Sequence, residues 1–216
     1  MAKIQSVDYM AMPQQAREMR IHGKDINTQI TAAYQVIRDM HKAWYGKRYN
    51  ALVGEFNKII PNLNALLQLV VGDIPFALLT VANNYAMADR GGKIVGASQE
   101  APTKITEISA SNEEGMRFME EDVTNAKAAV TKYLQNAVDL MNNIDTDYKK
   151  ITWQSEAADA FRNQFTTLKN NIVKSFMEIR TSFSNLMEQT QADIHTTENA
   201  NTVSQVNTSS STVNKM

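Results

Sequence analysis

The chain has 216 residues, a formal net charge of −1 and 43% hydrophobic residues. A chain so close to neutral lacks the strong positive field that attracts nucleic acid, so no nucleic-acid partner is expected. Cysteine is absent, which excludes a disulfide framework and a thiolate metal site. With only 8 glycines and 4 prolines, the composition favours a helical protein over a sandwich of short strands and frequent turns.

The first helical pattern begins near Pro13, which suits the first turn of a helix. Apolar and small residues then follow at alternating spacings of three and four, which places them on one stripe of a long helix. The stripe consists of Ala16, Met19, Gly23, Ile26, Ile30, Ala33, Ile37, Met40 and Trp44.

A second stripe of the same kind follows residue 111, where Ser111-Asn112-Glu113-Glu114 reads as a capping box that opens a helix. The predicted stripe consists of Met116, Met119, Val123, Ala126, Val130, Tyr133, Ala137, Leu140 and Ile144. Each striped helix is followed by a tryptophan and by another long apolar-periodic segment. In the first of these segments Pro61 and Pro75 predict a kink or break, whereas the second has no proline and is expected to be straight.

These patterns divide the chain into residues 1–90, a first helical hairpin; 91–111, a linker; 112–199, a second hairpin; and 200–216, a polar, flexible tail. The predicted fold is all-α, with two long hairpins packed as an antiparallel four-helix bundle and a disordered C-terminal tail. The linker is long enough for the bundle to close within one chain or by exchange between two copies in a homodimer.

The two predicted turns, Trp44-Tyr45-Gly46 and Trp153-Gln154-Ser155, stand at equivalent places in the two halves. When the tryptophans are superposed, alanines at 51 and 160 and phenylalanines at 56 and 165 also coincide. This unit resembles the WxG, or ESAT-like, family of helical hairpins that type VII (ESX) secretion systems export. A second family hallmark, Tyr-x-x-x-Asp/Glu, is matched by Tyr85 and Asp89, and its place in the second half is held by Ile194 and Glu198.

The resemblance implies a non-enzymatic, secreted substrate or secretion partner in a Gram-positive or mycobacterial host, connected with virulence. Its implied partners are the type VII secretion ATPase and a WxG-type or toxin protein. The residues that carry the implied secretion signal are Trp44, Gly46, Trp153, Ser155, Tyr85, Asp89 and Glu198.

In family dimers, the turn of one protomer lies near the Tyr-x-x-x-Asp end of the other. This resemblance implies Tyr85 and Asp89 near Trp153, and the Trp44 turn facing Ile194 and Glu198. The chain departs from the family in having Ser155 in place of glycine, and in two residues that are inserted around residues 145–147.

The first eight residues contain no apolar run, so export without a cleavable signal peptide is expected, from a cytoplasmic precursor. The segment Leu66–Ala82 motivates an alternative, a membrane-active helical toxin. It contains Asp73 and Pro75 and falls short of the about 20 uncharged residues of a typical span, which favours a buried helix. A cytosolic helical scaffold is a further alternative.

No phosphate-binding loop, catalytic triad or paired catalytic carboxylates stand out, so neither catalysis nor a cofactor is expected. His22, His41 and His195 are too dispersed to suggest a metal site. The tryptophans also admit a purely structural interpretation, as indoles that plug the ends of the bundle.

Overall fold

A computed structural model describes residues 7–151 and 153–210, with side chains described as far as Asn201. The fold is mostly helical, with 77% of the residues in helices, and the predicted all-α class is confirmed. The elements in chain order are α1 (Met12–Met40), β1 (Trp44–Tyr45), α2 (Lys47–Leu67), a π-helical segment (Gln68–Asp73), α3 (Ile74–Arg90), β2 (Arg117–Phe118), α4 (Glu120–Lys150) and α5 (Glu156–Ser210).

Helix α1 packs against α4, α3 and the π-helical segment, and every member of its predicted stripe is buried. It runs opposite to α4, because Gln15 Nε2 donates to the Lys150 carbonyl while Asn136 Nδ2 donates to Gln29 Oε1. Gly23 permits the close approach of the π-helical segment, since a Cβ at this position would lie 2.7 Å from a methyl of Val71.

The helix from Lys47 to Arg90 is continuous and contains no break at Pro61, which lies inside α2. The change in helix geometry occurs at Gln68–Asp73, just before Pro75. Proline has no N–H to donate to the carbonyl four residues earlier, which here belongs to Val71. Arg20 Nε donates to that carbonyl at 3.3 Å, so a partner for it comes from α1.

Residues 93–116, called the strap below, follow α3 as an extended segment that lies against α1, α2 and α3. The predicted absence of helix over 91–111 is confirmed, but the segment is packed, since Ile105 and Ile108 are only 5% and 3% exposed. It is therefore part of the core rather than a free connection.

The predicted helix start at the Ser111-Asn112-Glu113-Glu114 capping box is wrong, because α4 begins at Glu120. The backbone of Ser111 is bound by Asn50, and Gly115 has a φ of 94°, which is incompatible with an α-helix. Arg117–Phe118 pairs with β1 instead of joining the helix. Met116 and Met119, predicted on the buried stripe, are accordingly 50% and 43% exposed.

In the second hairpin, the α4 stripe from Val123 to Ile144 is partly as predicted, although Leu134 and Met141 are buried where Tyr133 and Leu140 are only half-buried. Helix α5 packs along α2 and has no internal break, as the sequence predicts. It continues to Ser210, so helical backbone extends into the predicted flexible tail, whose residues 211–216 lie outside the described part.

The segment Leu66–Ala82 belongs to the one helix, among the described residues, that is long and apolar enough to cross a membrane. In the fold, 61% of its most apolar stretch is buried. Within Leu66–Ala82, the large apolar side chain that is exposed is Phe76, at 38% exposure. The apolar character of this segment is thus used mainly in packing against α1 and the strap.

Candidate functional site

The first turn is built around Trp44, which is 1% exposed. Its backbone belongs to a two-residue antiparallel ladder in which Trp44 lies opposite Phe118 and Tyr45 opposite Arg117. The indole packs edge-on against Phe118 at 5.7 Å between ring centroids and stacks on Phe183 of α5 at 6.0 Å. One side chain therefore joins the first turn, the start of the second hairpin and α5.

Gly46 ends this turn and begins α2, and its φ of 114° is accessible to glycine but strained for other residues. Its carbonyl accepts a hydrogen bond from the N–H of Asn50 at 3.1 Å, which starts the helix. A Cβ at this position would also stand 3.3 Å from the Gly115 carbonyl oxygen. The third position of the Trp-x-Gly turn is thus restricted to glycine for two separate reasons.

An open cleft of about 640 Å³ lies between this turn and α5. Arg48 crosses one side of it, where its guanidinium pairs with Asp193 and donates to the Gln189 carbonyl at 3.2 Å. The turn of the first hairpin therefore stands beside residues 189–193 of α5. Ile194 is the next residue along that helix.

The second turn is built differently. Trp153 is 9% exposed and packs against Phe161, and its carbonyl accepts a hydrogen bond from Arg162 at 3.0 Å. Ser155 accepts a hydrogen bond through its hydroxyl oxygen from the N–H of Ala158 at 3.1 Å. This is an N-cap for α5, so a side chain supplies what glycine geometry supplies in the first turn.

Tyr85 and Asp89 lie one helical turn apart on α3, and both contact Tyr9. The rings of Tyr9 and Tyr85 stack at 6.3 Å, and the Tyr9 hydroxyl donates to the Asp89 carboxylate. This hydrogen bond is the largest contribution that raises the pKa of Tyr9. Tyr85 stays 39% exposed, which leaves one face of its ring available.

The two turns, the Tyr85–Asp89 pair and the distal part of α5 lie in two groups. Gln15 contacts Lys150, so the second turn lies near the start of α1, as does the Tyr85–Asp89 pair through Tyr9. Within the described residues, no hydrogen bond or ring contact joins that pair to Trp153 directly. Ile194 is half-buried and Glu198 is exposed on α5, just beyond the cleft at the first turn.

A ladder of asparagines along α2 was not predicted from the sequence. Asn50, Asn57 and Asn64 stand seven residues apart, and each uses its side-chain amide to bind both the N–H and the C=O of one strap residue. Their partners are Ser111, Ile108 and Ile105 respectively, at distances of 2.8 to 3.1 Å.

The spacing of the ladder follows from the geometry of the two chains. Seven residues of an α-helix advance about 10.5 Å, and three residues of extended chain advance about 9 to 10 Å. Amides at every seventh helical position therefore meet every third residue of an extended segment that runs in the opposite direction. The same amide chemistry recurs in α3, where Asn83 binds the backbone of Ile94 and Val95.

The strap is also held by charged side chains of α1. Arg38 donates to the carbonyl of Thr106 at 2.9 Å, and Arg20 donates to the carbonyl of Ser98. Glu100 pairs with Lys24 at 2.7 Å and with Arg20 at 3.4 Å. The hydrogen bond with Lys24 is the largest contribution that lowers the pKa of the Glu100 carboxyl.

Two signals in the sequence pointed to the strap. The segment Pro102-x-x-Ile105-x-x-Ile108-x-x-Ser111 has a period of three, and the asparagines of α2 have a period of seven. Taken alone, the asparagines of α2 look like a polar helix face, and residues 102–111 look like a loop with scattered isoleucines. The two periods correspond to nearly the same distance along the chain, and this match is recognised only when the two segments are placed side by side.

The described residues contain no group of three or more His, Asp or Glu side chains arranged to hold a metal ion. Comparison of the chain with models of protein families, with characterised proteins and with solved structures finds no match. The features from which a function can be inferred are the geometry of the two turns, the Tyr85–Asp89 pair and the strap.

Proposed function

We propose that this chain is a single-chain equivalent of a WxG dimer: two hairpins that form an antiparallel four-helix bundle and travel through a type VII secretion system. It acts without catalysis, as a substrate or as a secretion partner of a second WxG-type or toxin protein. It is made in the cytoplasm, and its destination is the cell surface or the medium.

The observation that carries the proposal is the position of the first turn on the second hairpin. Trp44 stacks on Phe183, and Arg48 pairs with Asp193, so the turn of one hairpin stands at the distal part of the other. This is the crossed arrangement that a bipartite signal requires. The opposite end supports it, since Tyr85, Asp89 and the Trp153 turn are gathered near the start of α1.

The tryptophans serve this signal mainly by shaping it. Trp44 and Trp153 are only 1% and 9% exposed, so little of either indole is available to a secretion ATPase. Tyr85, at 39% exposure, is the better candidate for direct contact. In this proposal Gly46 and Ser155 fix the two turns, while Tyr85, Asp89 and Glu198 form the accessible part.

Export from the native host tests the proposal. The protein is followed by immunoblot in culture medium and in cells, with and without the secretion ATPase, together with Tyr85→Ala. Tyr133→Ala is the matched control, because Tyr133 is a partly buried tyrosine on α4, away from the Tyr85–Asp89 pair. Circular dichroism of the purified variants establishes that both are folded.

We expect the protein in the medium only when the ATPase is present. Tyr85→Ala should remain in the cells, and Tyr133→Ala should be exported. Retention of the wild-type protein in every strain would overturn the proposal in favour of a cytosolic scaffold. If Tyr85→Ala and Tyr133→Ala were retained in the cells to the same extent, Tyr85 would have no specific role in the secretion signal.

The membrane-active alternative has its own observation, the apolar helix from Lys47 to Arg90. Insertion would require α1 and the strap to leave Leu66–Ala82, since these elements cover it in the fold. Release of dye from anionic liposomes by the purified wild-type protein would support this alternative, and intact liposomes would reject it.

A further inference from the structure

The groove between α4 and α5 in the second hairpin is the counterpart of the groove that holds the strap in the first. Superposing Ile37 on Ile144 brings Asn27 onto Leu134, and superposing Trp44 on Trp153 brings Asn64 onto Val173. Asn27 and Asn64 both bind the strap backbone. Leu134 and Val173 both line an open cavity of about 190 Å³.

The chemistry of the two grooves differs in one decisive way. In the first hairpin, side-chain amides satisfy the backbone of an extended segment at every third residue. In the second hairpin the positions of the ladder amides at 50, 57 and 64 are held by Asp159, Thr166 and Val173. An extended chain laid on an apolar floor would leave backbone N–H and C=O groups without partners, which is costly.

From this difference we infer that the α4–α5 groove is a docking site for an amphipathic α-helix of a partner protein. A helix satisfies its backbone internally and needs only apolar contacts from the groove, which is the helix-in-groove mode of recognition. Val138 and Val173 are half-buried at the rim, and Met177 is 66% exposed, so an apolar stripe would find adaptable contacts there.

The charge at the groove defines the partner further. Lys127 and Arg180 both line it, and neither forms an ion pair with a side chain in the described ranges. No carboxylate lines it. The fitting helix therefore carries acidic residues beside its apolar stripe. From Val173 to Phe183 the groove extends about 15 Å, which corresponds to about three turns of a bound helix.

This inference concerns a partner-binding surface and does not depend on the export of the chain. It is tested on the full-length protein with three synthetic peptides. The first has leucines at i, i+3, i+4 and i+7 flanked by glutamates, the second has the same residues in scrambled order, and the third carries a central proline that prevents helix formation.

Binding is followed by the methionine methyl resonances of protein labelled with ¹³C at those methyl groups, with Met177 assigned by Met177→Leu. We expect the first peptide to shift the Met177 signal and the other two to leave it unchanged. Arg180→Glu should weaken binding about tenfold, the change that roughly 1.4 kcal/mol of lost interaction produces. Lys174→Glu is the matched control, since Lys174 is exposed on α5 and outside the groove lining.

An unmoved Met177 signal, or equal weakening by Arg180→Glu and Lys174→Glu, would overturn the inference. Equal binding of the proline-containing peptide would assign the groove to extended ligands instead. A dimer of the protein alone in sedimentation equilibrium that Met177→Lys dissociates would show that a second copy, rather than a partner helix, occupies the groove.

Discussion

Gly46 and Ser155 hold equivalent positions in the two turns, yet they start their helices by different means. Gly46 uses a φ of 114° that other residues adopt only with strain, whereas Ser155 uses its hydroxyl as a cap for the N–H of Ala158. In sequence, Ser155 departs from the Trp-x-Gly pattern of the first turn. The structure explains how the second turn forms without that glycine.

The first prediction concerns Gly46→Ala. The new Cβ would meet the Gly115 carbonyl at 3.3 Å and would force alanine into a strained backbone conformation. We expect the free energy of unfolding in urea to fall by about 1–3 kcal/mol. Gly54→Ala is the matched control, because Gly54 lies inside α2 and a Cβ there meets nothing within 4 Å. That variant should be neutral or more stable by up to about 1 kcal/mol; equal destabilisation of the two variants would contradict the account.

The second prediction concerns tyrosine ionisation. Burial raises the pKa of Tyr49 to about 12, and it raises the pKa of Tyr34 and Tyr148 as well. A pKa that is higher in the folded state contributes stability that is complete below the unfolded pKa near 10. That contribution is lost as the pH rises through the folded values, so the midpoint of urea unfolding should fall above about pH 10.

The matching readout is tyrosinate absorbance at 295 nm during alkaline titration. Of the 7 tyrosines, the three buried ones should ionise only as the far-ultraviolet circular dichroism is lost. A single ionisation step for all tyrosines near pH 10, with the helical signal intact, would contradict the burial of these three side chains.

At the scale of elements, apolar periodicity predicted the helices better than the connections between them. The α1 stripe was predicted correctly because burial on one side of a long helix repeats every three or four residues. The start of α4 was misplaced because Ser111 and Glu114 match a capping box locally, whereas Asn50 binds the Ser111 backbone from a distant part of the chain. Long-range hydrogen bonds of this kind leave no periodic mark in the segment itself.

The strap provides the third prediction. Asn57→Ala removes both hydrogen bonds to the backbone of Ile108, which is 3% exposed, so a buried donor and acceptor lose their partner. The expected loss in the free energy of unfolding is about 1–3 kcal/mol. Trypsin should also cut faster after Lys104, which lies in the loosened strap.

Asn84→Ala is the control for this variant, because Asn84 is an exposed asparagine on α3. Its unfolding free energy and its cleavage rate after Lys104 should remain close to those of the wild type. If Asn57→Ala behaved like Asn84→Ala, the ladder would not be what holds the strap.

At the scale of the whole molecule, the sequence left open whether the two hairpins combine within one chain or exchange between two copies. A flexible linker would permit both outcomes. The strap favours closure within one chain, because its residues are bound along α1, α2 and α3 before α4 begins. Because the strap is bound as far as Ser111, an exchange of α4 and α5 between two copies would have to be made by the few residues between Ser111 and Glu120.

In the proposed fold, one chain supplies both hairpins, and the first turn is seated on its own α5. It is tested most directly with Arg48→Cys/Asp193→Cys, which places two thiols at an ion pair in a chain that has no cysteine. The protein is treated with a short bismaleimide at low concentration and separated on a denaturing gel. The control is Arg48→Cys/Glu156→Cys. Along α5, position 156 lies about 55 Å from position 193.

We predict that Arg48→Cys/Asp193→Cys gives a monomer whose tryptic fragments around positions 48 and 193 are joined, and that the control pair gives no such product. A covalent dimer as the main product, formed also between tagged and untagged copies, would contradict the claim and would assign the composite unit to two exchanged chains.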